Sequence, residues 1–305
     1  MSGNPEISVL IASYNARSTI EACLQSLEHQ TRSEIFETIV VDSSSDGTGE
    51  IVENDFPSVK IIRCSKRKFC GQARNIGLKI AKGKIIAFLD ADCIASPTWI
   101  EELHKAHQLP DAVIGGSMFN APLSSRVGWA YFFCEFSQWM PGRASGWLLY
   151  TAGCLSSYKR EVFDQFGLFL KVPYGSDIDY HWRLNRQGIR IRFIPEITIA
   201  HIYDGTLGEF FRHEVKHGLH FALTRRKMRP FVLLNRIFYV LGSPLIPLKM
   251  LIQTTLQVLR TGSYRLEFLI TLPQMLVGFI GWAIGDALGN IRTDNEILIR
   301  EQNGE

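Results

Sequence analysis

Within its first 90 residues the chain alternates short β-rich apolar runs with stretches of helical period, and this alternation constrains the fold most strongly. The runs are residues 7–12 (ISVLIA), 38–41 ending at Asp42, 59–64 (VKIIRC) and 84–90 (KIIAFLD). Between them, apolar residues recur at helical spacing through Ile20, Cys23, Leu24 and Leu27, around Ile51 and Val52, and over residues 72–81. Such spacing predicts βαβ units and a parallel sheet covered on both faces. Ligands of such sheets bind beyond the carboxyl ends of the strands. Three strands here end in polar residues: Tyr14-Asn15 after the first, Asp42 after the second, and Asp90-Ala91-Asp92 after the fourth. Any one of these reads equally as a turn or a helix cap. Three in one small sheet point to a site.

The last third is made of different material. The chain has 305 residues, 46% hydrophobic and 21% charged, which excludes global disorder and admits either two domains or one domain with an appendage. Its net charge of +3 arises entirely after residue 204, and residues 205–265 hold ten Lys and Arg against two acids, Glu209 and Glu214. The apolar stretch 231–259 is interrupted by Arg236, Pro244, Pro247 and Lys249, a poor spanning helix. Residues 268–285 (FLITLPQMLVGFIGWAIG) carry no charge over 18 positions, close to the roughly 20 needed to cross a bilayer. Pro273, Gly278, Gly281 and Trp282 suit a membrane helix, with a buried core helix as the alternative. The cluster Arg225, Arg226, Lys227 and Arg229 would sit at an anionic cytosolic leaflet.

Other classes are disfavoured. The six cysteines show neither a CxxC pair nor a disulfide framework, pointing to a reducing compartment. The N-terminus lacks a basic segment and a long apolar core, so the bulk of the chain is expected in the cytosol. No GxGxxG follows the first strand, which argues against a dinucleotide-dependent oxidoreductase. No nucleic-acid motif accompanies the basic segment, so no nucleic-acid partner is expected.

Four segments carry a resemblance in order: SVLIASYNARSTIEACLQSL near the start, VVDSSSDGT ending at Thr48, ARNIGLKIAKGKIIAFLDAD over residues 73–92, and GSDIDYHWRLNRQG over residues 175–188. Together they cover most of residues 7–204 and resemble glycosyltransferase family 2. The resemblance implies an α/β, Rossmann-like GT-A domain with a mainly parallel central sheet, here over residues 1–225. A C-terminal helical membrane-associated region would occupy residues 226–305, with a transmembrane helix at 268–285 and residues 231–259 interfacial, re-entrant or a second span. The implied activity is inverting transfer of a sugar from a nucleotide diphosphate, assisted by Mn²⁺ or Mg²⁺. Leaving-group charge rises as the sugar bond breaks, and oxygen ligands on a loop after a strand suit such metals.

By the same resemblance, Asp92 is the direct metal ligand and Asp90 a contact to ribose or to water on the metal. Asp42 matches the base-recognition aspartate, because a carboxylate accepts a hydrogen bond from a base that presents N–H. Arg74 matches the arginine beside the nucleotide. Tyr14 and Asn15 match the pair under the base, although Ala12-Ser13 stands where proline often precedes it. Asp177 falls on the position of the general base that deprotonates the acceptor hydroxyl. Ser176 stands where glutamate is usual, and Tyr180 where leucine is usual. Asp179 is expected to orient Arg183, four residues on. His201, after a strand-like run, is carried as a second metal or pyrophosphate ligand, and Arg212, with Lys216, as a donor-phosphate contact from a closing segment. Asp46 and Gly47 are read as turn residues.

His213, His217 and His220 share helical spacing. No accompanying carboxylate is read for them, and they are expected on an interfacial helix. The aromatics Trp129, Phe132, Phe133 and Phe136 follow helical spacing and are expected mostly as packing. Gly153 resembles the small-residue turn that borders the acceptor pocket. The donor is expected to be a UDP-, dTDP- or GDP-sugar. The acceptor is expected to be a membrane-proximal or lipid-linked glycan, met at the cytoplasmic face of the cell membrane. Ser176 keeps open a non-catalytic nucleotide-sugar-binding or scaffold protein of the same fold. The Gln-x-x-Arg-Trp signature of processive synthases is absent.

Overall fold

The computed structural model describes residues 4–121, 124–228 and 233–291. Its strands are β1 (Ile7–Ser13), β2 (Phe36–Asp42), β3 (Lys60–Arg63), β4 (Ile85–Asp90), β5 (Cys93–Ala95), β6 (Val113–Asn120), β7 (Gly146–Leu148), β8 (Ser156–Lys159) and β9 (Ile191–His201). Its helices are α1 (Ile20–Glu28), α2 (Thr48–Asp55), α3 (Cys70–Leu78), α4 (Trp99–Ala106), α5 (Arg126–Phe136), α6 (Glu161–Phe166), α7 (Ser176–Arg186), α8 (Leu207–Met228), α9 (Leu233–Gly242), α10 (Ile246–Thr261) and α11 (Arg265–Ile291). Two compact units result: residues 1–123 with 139–203, and residues 124–138 with 204–305. Arg229 of the basic cluster lies outside the described residues.

In the first unit the four early apolar runs form β3-β2-β1-β4, all parallel, as their spacing predicts. Register aligns Ser13 with Asp42 and Ala12 with Asp90, so three strand ends open at one level. The other half of the sheet is mixed. Strand β8 runs antiparallel between β4 and β6, and β6 runs parallel to β9. The long β9 pairs antiparallel with β7 near its start and with β5 at its end. That last pairing sets Cys93 opposite His201, and the Ile202 N–H donates to the Asp92 carbonyl at 2.8 Å.

The second unit is helical. Helix α5 packs its aromatic side: Trp129 lies 4.8 Å from Tyr264, Phe133 5.5 Å from Phe268 and Tyr131 5.9 Å from Phe210, centroid to centroid. Helices α8 and α11 touch backbone to backbone. A Cβ on Gly285 would fall 2.0 Å from the Val215 carbonyl oxygen, and one on Gly218 would fall 2.1 Å from that of Trp282. The stripe Gly278, Gly281, Gly285 and Gly289 is therefore a packing surface, as in membrane helix pairs. It also brings Arg225 to within 2.8 Å of the fully buried Asp286. Among the described residues two helical stretches are long and apolar enough to cross a membrane, Leu234–Thr261, whose most apolar 18 residues are 6% buried, and Arg265–Ile291, where the share is 44%. The first leaves Leu234, Phe238, Leu241, Leu245 and Leu248 exposed at steps of three and four, one apolar stripe along the helices.

Candidate active site

The loops after β1 and β2 are tied together by Asn15. Its φ of 51° is left-handed, a conformation that asparagine tolerates better than most residues. Its backbone N–H donates to Ser44 Oγ at 2.7 Å, and its Oδ1 accepts from the Ser45 N–H at 3.0 Å. Tyr14 stands outside this knot, 41% exposed, with the Arg67 guanidinium 4.2 Å from its ring centroid. Asp46 accepts from the Thr48 backbone and hydroxyl, and Gly47 takes φ of 93°. Both are turn residues, as the sequence predicts.

Asp42 closes β2 with its side chain fully buried. Ser44 Oγ donates to its Oδ1 at 2.5 Å, whereas its Oδ2 has no hydrogen-bond partner among the described residues. Arg63 Nε lies 3.4 Å from that oxygen and is shared with Glu50 and Glu53. That oxygen therefore has an ion-pair neighbour but no hydrogen bond among the described residues.

At the end of β4, Arg74 Nη2 donates to Asp90 Oδ1 at 2.9 Å. Arg74 is 4% exposed and rests over the rings of Phe88 and Phe169. Burial opposes its charge, but Asp90, Cys70 and Asp177 outweigh burial and raise its pKa. Two residues on, Asp92 Oδ2 faces His201 Nε2 at 3.4 Å. Burial raises the Asp90 carboxyl above the usual range, with Asp92 adding to the effect. Burial also acts on Asp92, but His201 overrides it and holds Asp92 lower. Ligand atoms of Asp92, Cys93 and His201 all lie within 4.8 Å of one another. The Asp92 carboxylate is an oxygen ligand of the kind that suits Mn²⁺ or Mg²⁺, and the pairing of β5 with β9 fixes the His201 imidazole beside it.

Asp177 sits in the first turn of α7, after Gly175 with φ of 73°. Its Oδ2 accepts from the Gly153 N–H at 2.8 Å and its Oδ1 from the Ile178 N–H at 2.9 Å. Each oxygen keeps a further lone pair. Gly153 in turn lies flat against Arg74: a Cβ there would fall 2.2 Å from Nη1. Asp177, Gly153, Arg74 and Asp90 thus form one continuous run of contacts. Below it, Tyr158 Oη and His181 Nε2 are 2.6 Å apart, both fully buried. Burial pushes the His181 pKa down to about 4, so its ring is neutral.

Comparison with known proteins places the chain in a family. The profile of Glycosyl transferase family 2 matches residues 8–167, more than half of the chain. The chain belongs to glycosyltransferase family 2. Among curated members, an Escherichia coli UDP-Glc:alpha-D-GlcNAc-diphosphoundecaprenol beta-1,3-glucosyltransferase is 45% identical over 89 residues, 28% of this chain and 35% of that protein. The uncharacterized glycosyltransferase EpsJ of Bacillus subtilis is 33% identical over 206 residues, 63% of this chain and 59% of its own length. The matches thus span from about a third to three fifths of these curated relatives. Among solved structures, the Pyrobaculum calidifontis mannosyltransferase with GDP-Man and Mn²⁺ aligns at TM-score 0.61 and 19% identity, covering 95% of this chain and 89% of that one. Staphylococcus aureus TarS with UDP-GlcNAc aligns at TM-score 0.56 and 17% identity, covering 98% and 92%. These neighbours establish the GT-A fold.

Within this family 2 domain, Ser176 is 4% exposed and lies against α3, where a Cβ on Gly71 would fall 2.9 Å from its own Cβ and Oγ. A small residue at 176 is what this close approach allows. Asp179 holds Arg183 at 2.9 Å, and Arg183 also donates to the carbonyls of Phe166 and Leu168. Arg212 belongs to the helical unit, exposed on α8. Arg63, Arg67, Tyr158 and His181 were missed by sequence reasoning. The first two precede the ARN segment, and a basic run beside an aromatic is a faint signal. Tyr158 lies on an antiparallel strand outside the βαβ pattern, and His181 reads as an ordinary helix residue.

One expectation is overturned. His213 and His217 do have a carboxylate partner, since Glu135 Oε1 stands 2.7 Å from His217 Nδ1 and 3.6 Å from His213 Nε2. Glu135 comes from α5, far away in sequence, so helical spacing on α8 alone could not show it.

Proposed function

We propose that this chain is an inverting glycosyltransferase that moves a sugar from a nucleotide diphosphate to a hydroxyl of a membrane-proximal or lipid-linked glycan. One observation carries the reading: contacts from Asp177 through Gly153 and Arg74 to Asp90 put a free-lone-pair carboxylate beside the acidic strand end. Asp42 Oδ2 accepts the N–H of a uracil, thymine or guanine base, beside Tyr14 and Asn15. Asp92 and His201 hold a divalent ion, Mn²⁺ or Mg²⁺, and Asp90 lies against the ribose side. When bound, the ion supplies positive charge to the departing diphosphate. Arg74 adds a second positive charge that burial keeps from being screened. Asp177 takes the acceptor hydroxyl proton while that oxygen attacks the anomeric carbon, and the bonding pair of the broken C–O bond leaves on the diphosphate.

Membrane attachment is part of the proposal. A row of exposed large apolar side chains from Leu234 to Leu248 is the kind of surface that does not face water. Lys227, exposed, precedes it as a basic residue would at a cytoplasmic leaflet. An acceptor held in that membrane follows from the tether, and the E. coli relative is named for an undecaprenol-linked acceptor.

The decisive test is thermal stabilisation by UDP-, dTDP- and GDP-sugars with and without Mn²⁺. A ligand at 100 times its Kd adds about 2.7 kcal/mol of stability. Stabilisation by one base class that requires the ion supports the reading, and loss of that response in Asp42→Asn places the base at β2. Failure of every donor in both conditions overturns it.

A further inference from the structure

The helical unit holds a second group of metal-ligating side chains that the transfer reaction does not use. The run His213-Glu214-Val215-Lys216-His217 has the H-E-x-x-H pattern, which sets two imidazoles one turn apart on a helix face. On α8 both rings turn toward Glu135, in the last turn of α5. The ligand atoms of Glu135, His213 and His217 lie within 4.8 Å of one another. In a tetrahedral zinc site with bonds near 2.0–2.1 Å, neighbouring ligand atoms stand about 3.4 Å apart. The observed 2.7 and 3.6 Å from Glu135 bracket that value, so small side-chain rotations would centre an ion. His220, one turn further on, is not in the group.

A second observation points the same way. Glu214 is 1% exposed, and neither of its carboxyl oxygens has a hydrogen-bond partner among the described residues. It lies beside Glu135. Ligating carboxylates are commonly held by outer-shell partners, and a Glu214 that keeps its proton is a donor for Glu135. Such a group finds a purpose behind a metal ligand.

We infer that Glu135, His213 and His217 bind a Zn²⁺ ion, with Glu214 as the outer-shell group behind Glu135. Two imidazoles and one carboxylate favour zinc over Mg²⁺ or Ca²⁺, which prefer oxygen alone. The side chains of His213 and His217 are 28% and 24% exposed, leaving the fourth position to solvent. Glu214, sealed from solvent, cannot serve a substrate as the glutamate of this pattern does in peptidases. With three protein ligands the site is not the closed four-ligand kind, but a bound ion would still cross-link α5, which enters from the middle of the chain, to α8.

The test uses the full chain in detergent, stripped of metal, with Asp92→Asn to disable the carboxylate of the other cluster. Zn²⁺ is titrated against a chromophoric chelator, and the bound ion is examined by X-ray absorption. One ion per chain with two imidazoles in its shell is expected. Losing an outer-shell partner alone costs about 10–100-fold in affinity, so adding His213→Asn and His217→Asn should cost about 100-fold or more. The imidazole count needs no change in the helical unit, so it decides the matter even where the triple variant misfolds. The Asp92 cluster offers only His201, so a shell with one imidazole, or no bound ion, overturns the inference. Unaltered affinity without the two histidines overturns it equally.

Discussion

The Asp92–His201 pair and the Glu135–His213–His217 group use the same kinds of side chain under different constraints. In the first unit the backbone does the positioning. Cys93 faces His201 across a strand pair, and Ile202 hydrogen-bonds to Asp92, so both side chains are fixed by a ladder of main-chain bonds. In the helical unit only the two histidines are set by backbone geometry. Glu135 is delivered by aromatic packing of α5, and the contacts of α8 with α11 rest on glycines. The sheet-borne site should therefore lose function under substitution without losing its shape, whereas the helical unit should lose shape first.

The largest expected effect tests the sheet-borne half. Asp177→Asn should lower turnover by about 10²–10⁴-fold, the usual contribution of a positioned base. Its amide oxygen can still accept from the Gly153 N–H, so metal-dependent stabilisation by the donor should persist. Nucleotide diphosphate release with acceptor present, measured beside the thermal shift, separates the two. A variant that turns over at the parent rate removes Asp177 from the chemistry.

The next effect tests the helical half. Asp286 is fully buried and accepts from Arg225 at 2.8 Å and from Asn290 Nδ2 at 3.2 Å. Removing one partner of a buried pair strands the other charge, and Asp286→Ala should cost about 3–5 kcal/mol. Denaturation in detergent would measure it. Donor-induced stabilisation should survive near the parent value under mild conditions. Its equal loss would show that the two halves do not differ as described.

These expectations also mark what could be read from the chain. The β3-β2-β1-β4 half and its strand-end residues were legible, because period-two and period-3.6 patterns reflect burial directly. Asp42, Asp90 and Asp92 all stand where that pattern placed them. The mixed half was not legible: β5 and β7 have three residues each, too few to show a period, and β8 carries Ser156 and Ser157 in its buried interior. The contact of Gly153 with Arg74 and Asp177 was hidden for the same reason, as it joins segments about 80 and 24 residues apart through a backbone N–H. The Glu135 partner was invisible because aromatic packing leaves no register in sequence. The membrane-like composition of residues 268–285 was legible, but not that α8 would cover one of its faces.

A smaller effect follows from His181. Burial, with Arg74 adding and Asp177 opposing, lowers its pKa to about 4, whereas the unfolded imidazole titrates near 6.5. Between those values the unfolded chain binds the extra proton, so stability must fall as pH drops from about 6.5 to about 4, by up to about 3 kcal/mol. His107, buried against Ser157 and lowered to about 3, acts in the same direction. The denaturation midpoint followed over this range should slope downward toward acid, and His181→Gln should flatten part of the slope. An unchanged slope would mean that the imidazole is not held neutral in the folded sheet.

The smallest expected effect probes how rigidly the strand-end site is held at its edge. Arg67 is exposed, and its guanidinium covers Tyr14 at 4.2 Å without any strand to fix it. A cation over an exposed ring contributes about 0.5–1 kcal/mol, equivalent to roughly 2–5-fold in binding. If Tyr14 lies under the donor base, Arg67→Ala should raise the donor KM by about that factor and leave kcat unchanged, because the interaction is made equally in the ground and transition states. A fall in kcat instead would mean that the loop edge is coupled to Arg74 and Asp90. The contrast between a site fixed by backbone and one fixed by packing would then have to be drawn inside the first unit as well.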